Sequence, residues 1–426
     1  MKVFLDMVGC RLNQGEIEAY ARQFRLAGHT LTPDSSSADL VVINTCSVTT
    51  AAAADSRQKI RQAARSGAGQ IIATGCYATL EPSAVLRLPG VSQVIDNLDK
   101  DLLVPMVLNI PPADLEHGTI QREPVPGSRL RTRAFIKVQD GCDNHCTYCL
   151  TRLARGVGRS RSPDTVLIDI NAALQGGAQE IVLTGVHLGS WGYDFTSPSS
   201  LQSLLIAILD SSNAPRLHLS SIEPWDITPD FFDLWQNPRL CRHLHLPLQS
   251  GSAATLHRMG RKITPESYAH LVAQARLAIP GVSITTDIIT GFPGETEEEF
   301  SESAAFIAQM EFAGGHVFTF SPRPGTAAFS LPNQVNPLIA KHRNAIMHQI
   351  LQKSAASYRR QYLHHRLSVL WEKASPINNH QWELSGLSDN YLRVRAPFSS
   401  PCRNKIMNVR ITAVETAGLL GEILPS

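Results

Sequence analysis

The stretch Asp140–Leu150, DGCDNHCTYCL, sets Cys142, Cys146 and Cys149 within eight residues. Gaps of three and two residues let one loop wrap a metal centre while its backbone N–H groups face the sulfurs. A closed zinc or iron–sulfur site takes four ligands. Three thiols on one loop therefore admit three readings. They recruit a fourth ligand, with His145 the nearest candidate in a zinc site; they form a buried structural group; or they leave one corner of an iron cube open to another molecule.

The loop directly follows a β-rich run, RAFIKVQ from Arg133, and five more such runs come after it. They are EIVLTG from Glu180, RLHLSSI from Arg216, RHLHLPL from Arg242, VSITTDIIT from Val282 and GHVFTFS from Gly315. Helical stretches such as PDTVLIDINAALQGG and ETEEEFSESAAFIAQM alternate with them. The alternation predicts a partial (β/α)6 barrel over 129–350, a fold that gathers its chemistry at the strand C-termini. The cysteine loop stands at such an end.

Upstream, KVFLDMVGC, DLVVINTCSV and QIIATGCYA alternate with helical stretches in a βαβαβ rhythm, which predicts an open parallel-sheet α/β domain over 1–110. Cys10, Cys46 and Cys76 are too widely spaced for one loop, yet each ends a predicted strand. In an open parallel sheet those ends share one edge, where ligands collect. Residues 111–128 are proline-rich and without period, and are expected to be a linker. Residues 351–426 are expected to form a basic connector and a small all-β barrel from LSVLWEK, HQWELSG, YLRVRAP, NKIMNVRITAVE and LLGEIL. Cys241 and Cys402 lack ligand-like neighbours and read as structural.

The 426 residues, 43% hydrophobic and 18% charged, have the composition of a globular chain. The N-terminal MKVFLDMVGC lacks the pattern of a secretory signal, and no run has the length of a membrane span. A cytoplasmic enzyme is expected, in which eight cysteines serve as metal ligands or structural thiols rather than as disulfides.

The CxxxCxxC loop after the first barrel strand, with Tyr148 before its last cysteine, resembles that of the radical S-adenosylmethionine superfamily. GCRLN, VINTC and TGC, followed by GCDNHCTYC, ARG, TGVHLGSWGYD, HLPLQSGS, GFPGET and FSPRPGT, resemble the methylthiotransferases of that superfamily over nearly the whole chain. The resemblance implies two 4Fe-4S clusters, on Cys142, Cys146 and Cys149 and on Cys10, Cys46 and Cys76. Each has one open iron: the first chelates S-adenosyl-L-methionine and the second carries the sulfur to be transferred. GCRLNQGEIEAY and VLTGVHLGSWGYD are most similar to the branch that converts N6-threonylcarbamoyladenosine beside the tRNA anticodon to its 2-methylthio form. Related branches act on isopentenyladenosine or on a ribosomal-protein aspartate. CLTRLARG departs from the more apolar CIIPYARG of relatives, which leaves the packing of that loop open.

Residues at the strand ends are the expected cofactor contacts: Tyr148, Thr184, Gly185, Ser221, Glu223, Gln249, Asp287 and Gly291, with Glu295 in the same turn as Gly291. For GFPGET a plain strand-to-helix turn is the competing reading, and His187 is either a site residue or a packed one. The resemblance implies that radical chemistry removes hydrogen from adenine C2 and that a methylthio group replaces it, which needs both clusters at one cavity. The expected partners are a tRNA anticodon loop, an electron donor and a sulfur source, with no membrane.

Net charge of +2 is uninformative, but Arg129–Arg161 holds eight Lys or Arg against two Asp, and Lys341–Arg366 holds six and no acid. Such clusters attract phosphate. The terminal barrel resembles a TRAM domain, with Trp371, Trp382 and Tyr391 as candidate stacking residues or core. A non-catalytic iron–sulfur carrier would explain the cysteines but not the barrel.

Overall fold

The structure, a computed structural model, describes residues 1–116, Glu123, Val125 and 132–425. Most of the expected linker, with Arg129 and Arg131 of the basic run, lies outside the described residues. No helix among the described residues is long and apolar enough to cross a membrane.

The N-terminal unit is a parallel sheet ordered β2-β1-β3-β4-β5, where β1 is Lys2–Met7, β2 Thr30–Leu31, β3 Leu40–Thr45, β4 Gln70–Gly75 and β5 Val91–Val94. Strand β3 is buried along its whole length, so it reads as a continuous apolar run rather than an alternation. Helix Arg11–Leu26 buries Ile17, Tyr20 and Phe24 on one face of the sheet. Helix Thr50–Arg65 buries Ala53, Ile60 and Ala63 on the other. Both spacings follow the helical repeat. This strand order changes direction between β1 and β3, the place where such sheets bind ligands.

The central unit contains β6 Arg133–Lys137, β7 Gln139–Asp140, β8 Arg159–Ser160, β9 Glu180–Thr184, β10 Arg216–Leu219, β11 His243–His245, β12 Ser283–Thr290 and β13 Gly314–Thr319. The short antiparallel pair β7–β8 closes the base of the cysteine loop. The six parallel strands form two sheets, β10-β9-β6 and β11-β12-β13, joined by single bridges at Leu217–Leu240 and Ser221–His245. They are the six strands expected from the sequence, in a half-barrel whose edges are β6 and β13. Helix Arg11–Leu26 crosses β6 and brings the N-terminal unit against that edge.

Helix Pro337–Arg360 lies on β12 and β13 and contributes Met347 and Leu351 to the central core. The boundary expected at residue 350 thus falls inside one helix. Beyond it β14 Arg366–Asn378, β15 Gln381–Ser388, β16 Arg393–Phe398, β17 Ile406–Glu415 and β18 Gly418–Ile423 close a barrel. Trp371 is fully buried in that barrel's core and Trp382 packs against it. Tyr391 instead joins all three units. Its ring stacks on His243 at 4.5 Å, and its hydroxyl accepts from Arg11 at 2.7 Å and Arg133 at 3.3 Å.

Candidate active site

Cys10, Cys46 and Cys76 follow β1, β3 and β4, three adjacent strands of the parallel sheet. Backbone geometry brings their turns together. Gly9, Gly75 and Gly141 each precede a cysteine and have φ of +116°, +91° and +72°, the region glycine tolerates. A side chain at Gly9 would lie 3.0 Å from Cys46 Sγ, and one at Gly75 only 2.3 Å from the Thr45 carbonyl. Asn13 ties the edge together: Nδ2 donates to Val8 O at 2.8 Å, and Oδ1 lies 3.6 Å from Cys10 Sγ. Burial, with Cys76 and Cys10 alongside, pushes the Cys46 thiol up to about 11. Ligation by iron is what would hold these groups as thiolates.

On the second loop, two backbone N–H groups face cysteine sulfur. Asn144 N donates to Cys142 Sγ and Thr151 N to Cys149 Sγ, both at 3.4 Å. Burial pushes Cys149 up to about 11. Arg261 lies with Nη1 4.0 Å from Cys146 Sγ and Nη2 2.8 Å from Glu223, its guanidinium 4.4 Å over the Trp225 ring. The departure in CLTRLARG becomes a polar brace: Cys149 Sγ donates to Thr151 Oγ1 at 3.1 Å, and Arg152 donates to Asp143 O at 3.2 Å. Among the described residues no three His, Cys, Asp or Glu side chains converge as one metal ion requires. The N–H···S contacts at Cys142 and Cys149 are of the kind that accompanies iron–sulfur ligation.

The two loops meet. Asn97 Nδ2 lies 3.8 Å from Cys76 Sγ and donates at 2.7 Å to Ala154 O, five residues past Cys149. Arg155 donates to Asn13 Oδ1 at 2.8 Å, to Asp140 at 2.9 Å and to Glu16 at 3.1 Å. Glu16 also pairs with Lys100 and accepts from Asn44 Nδ2 at 2.7 Å. From the far edge of the barrel, Arg323 reaches Ser47 Oγ at 2.8 Å, beside Cys46. The strand ends of the sheet and of the half-barrel thus share one side of the molecule.

Of the expected strand-end contacts, Tyr148 joins a small apolar cluster with Met259, Phe292 and Phe320. Thr184 donates to Ile136 O at 3.1 Å, tying β9 to β6. A side chain at Gly185 would lie 3.1 Å from Gln139 Oε1, which accepts from His187 N at 2.9 Å. Ser221 bridges to His245, and Gln249, at φ 79°, bridges to Ile288. Asp287 lies between His245 at 3.3 Å and His316 at 3.0 Å. Gly291 N donates to Glu295 Oε2 at 2.8 Å, and Arg343 at 2.8 Å holds the same carboxylate, so this turn is anchored to helix Pro337–Arg360. Cys241 is buried.

Sequence reasoning missed Arg261, Asn97 and Asn13 as neighbours of the cysteines; Arg261 and Asn97 reach Cys146 and Cys76 from far along the chain, whereas Asn13 stands three residues after Cys10. His187 belongs beside the site. Although burial opposes it, contacts with Asp226 at 2.6 Å and with Cys142 push His187 up to about 10. A cavity of 180 Å³ there is lined by Asn144, His187, Tyr193, Trp225 and Asp226.

Residues 2–96 match the family described as Uncharacterized protein family UPF0004, and residues 136–307 match the Radical SAM superfamily. The chain is 35% identical over 422 residues, covering 96% of it and 93% of the relative, to the threonylcarbamoyladenosine tRNA methylthiotransferase MtaB of Bacillus subtilis. It is 30% identical over 435 residues, 98% of it and 95% of the relative, to the tRNA-2-methylthio-N(6)-dimethylallyladenosine synthase of Clostridium tetani. The radical S-adenosylmethionine methyltransferase TsrM of Kitasatospora setae has the same fold, with a TM-score of 0.59 at 15% identity over 77% of this chain and 75% of that one.

Proposed function

The chain belongs to the radical S-adenosylmethionine tRNA methylthiotransferase family, and from that premise we propose that it methylthiolates C2 of N6-threonylcarbamoyladenosine at tRNA position 37, beside the anticodon. We further assign a second 4Fe-4S cluster to Cys10, Cys46 and Cys76. The reading is carried by one observation: the two cysteine loops lie against each other through Asn97, which reaches Cys76 at 3.8 Å and Ala154 O at 2.7 Å. When bound, the cluster at Cys142, Cys146 and Cys149, with S-adenosylmethionine, supplies radical chemistry, and the second cluster supplies sulfur.

The protein's own groups hold that arrangement. The N–H groups of Asn144 and Thr151 stabilise negative sulfur at Cys142 and Cys149. Glu223 and Trp225 fix Arg261 near Cys146. Arg155, bonded to Asn13, Asp140 and Glu16, keeps the two loops in register.

An anticodon-loop base is a reasonable target because it leaves its stack for a few kcal/mol. Of the basic helix, Lys341, Lys353 and Arg360 are exposed and available to phosphate, whereas Arg343 is buried against Glu295. An electron donor and a sulfur source complete the reaction. TGVHLGSWGYD favours threonylcarbamoyladenosine over isopentenyladenosine or a ribosomal-protein aspartate.

Nucleoside mass spectrometry of tRNA from cells lacking the protein tests the substrate. Loss of 2-methylthio-threonylcarbamoyladenosine with accumulation of its precursor is expected, and an unchanged level would reject the assignment.

A further inference from the structure

A continuous row of polar contacts runs along the inward face of the half-barrel. Glu180 Oε1 is 3.2 Å from His218 Nδ1, and His218 Nε2 is 2.8 Å from His243 Nδ1. His243 Nε2 is 2.8 Å from Thr285 Oγ1, which is 2.9 Å from His245 Nδ1. His245 Nε2 is 3.3 Å from Asp287 Oδ2, whose other oxygen is 3.0 Å from His316 Nδ1.

From Glu180 to Asp287 this makes five contacts, to which three neutral imidazoles and one hydroxyl bring four hydrogens. Satisfying all five takes one extra proton. Neither carboxylate keeps it: against the effect of burial, hydrogen bonds from His218 hold Glu180 low, and those from His245 and His316 hold Asp287 low. Burial, with Arg11 adding to it, pushes His218 and His243 down, so neither of these rings holds it readily. His316 is raised by its hydrogen bond to Asp287, although burial and the field of Arg11 oppose the shift.

That end of the row is open. Strand β13 is a sheet edge, and on its inward face the His316 side chain is 72% exposed and Phe318 is 43% exposed. Val317, pointing the other way, is buried in the core. The two inward rings are 6.1 Å apart. With Nδ1 facing Asp287, His316 leaves Nε2 as its free ring nitrogen, an N–H donor in the imidazolium that the Asp287 contact favours. Past Phe320 the same segment reaches Arg323 and its contact with Ser47, beside Cys46. An exposed cation next to an exposed ring suits an anionic substituent on a stacking base.

We propose that His316, oriented by Asp287, binds the carboxylate of the threonylcarbamoyl substituent, with the adenine against Phe318. This assignment rests on the substrate reading above. Asp287 is then a positioning residue, and His316 determines specificity for the modified base.

The test uses reconstituted full-length protein and two anticodon stem-loops, one carrying N6-threonylcarbamoyladenosine and one unmodified adenosine. Wild type should prefer the modified loop by about tenfold or more, the scale of a hydrogen bond to a charged group. His316→Ala should lose that preference while keeping its iron content and its affinity for the unmodified loop. His316→Gln, which retains a donor, should recover part of the preference, and Phe318→Ala should weaken both loops alike. If His316→Ala keeps the wild-type preference while wild type methylthiolates the modified loop, this assignment alone is overturned. A wild type that neither discriminates nor methylthiolates overturns the substrate reading and this assignment with it.

Discussion

Arg155, which follows the cysteine loop of the half-barrel, donates to Glu16 of the N-terminal helix at 3.1 Å, and both side chains are almost wholly buried. Removing one member of a buried, hydrogen-bonded ion group leaves the others uncompensated, at about 3–5 kcal/mol. Arg155→Met should therefore lower the stability of the interface between the units by about that amount in urea denaturation. A loss under about 1 kcal/mol would contradict the joining role of this group.

The same group sets a pH dependence. Although burial opposes ionisation, Lys100 and Arg155 lower Glu16 to about 2. A carboxylate held below its unfolded value adds stability that is full above the unfolded range near pH 4–5 and fades as pH falls toward the folded value. The stability advantage of wild type over Glu16→Gln should be constant from pH 7 to about 5 and shrink between about pH 5 and 2. Urea midpoints across that range read it directly, and an advantage that grows on acidification would refute the sign.

Gly75 stands at φ +91° with the Thr45 carbonyl 2.3 Å from where a Cβ would sit. Gly75→Ala should cost at least about 1 kcal/mol from backbone strain alone. It should also displace Cys76, so that reconstituted protein holds about four irons rather than about eight. Full iron loading in a folded variant would argue against Cys76 as a ligand.

The basic helix divides into two roles. Replacing Lys341, Lys353 and Arg360 with Gln should make the dependence of log affinity for tRNA on log salt shallower by about 2 to 3, since each phosphate contact contributes about 0.7–0.9. Arg343→Gln should leave that slope unchanged and destabilise the fold, because Arg343 is held by Glu295 and Glu297. The reverse pattern would place the RNA elsewhere.

The half-barrel was legible because its strands are apolar runs separated by helical ones, and the N-terminal trio because each cysteine ends such a run. The charge-rich stretch 129–161 was misleading. Lys137 and Arg155 are buried with Glu16 and Asp140, Arg133 pairs with Glu372 and Arg161 with Asp169, so four of its six described cations are paired with carboxylates instead of facing phosphate. Of their acids, Glu16 and Glu372 lie far off in sequence, where no local pattern registers them. The histidine row was illegible for a related reason. Its members stand opposite one another only through strand register, His245 against Thr285 and Asp287 against His316. Trp371 was indistinguishable from a stacking residue until the closed barrel buried it.

The proposed joint action of the two cysteine trios is tested most directly by giving reconstituted enzyme a stem-loop with N6-threonylcarbamoyladenosine and quantifying 5′-deoxyadenosine and the 2-methylthio nucleoside together. Wild type should form both. Protein with Cys10, Cys46 and Cys76 replaced by Ala should still form deoxyadenosine but no 2-methylthio product, and replacement of Cys142, Cys146 and Cys149 should abolish both. Formation of the 2-methylthio nucleoside without either trio would contradict the account.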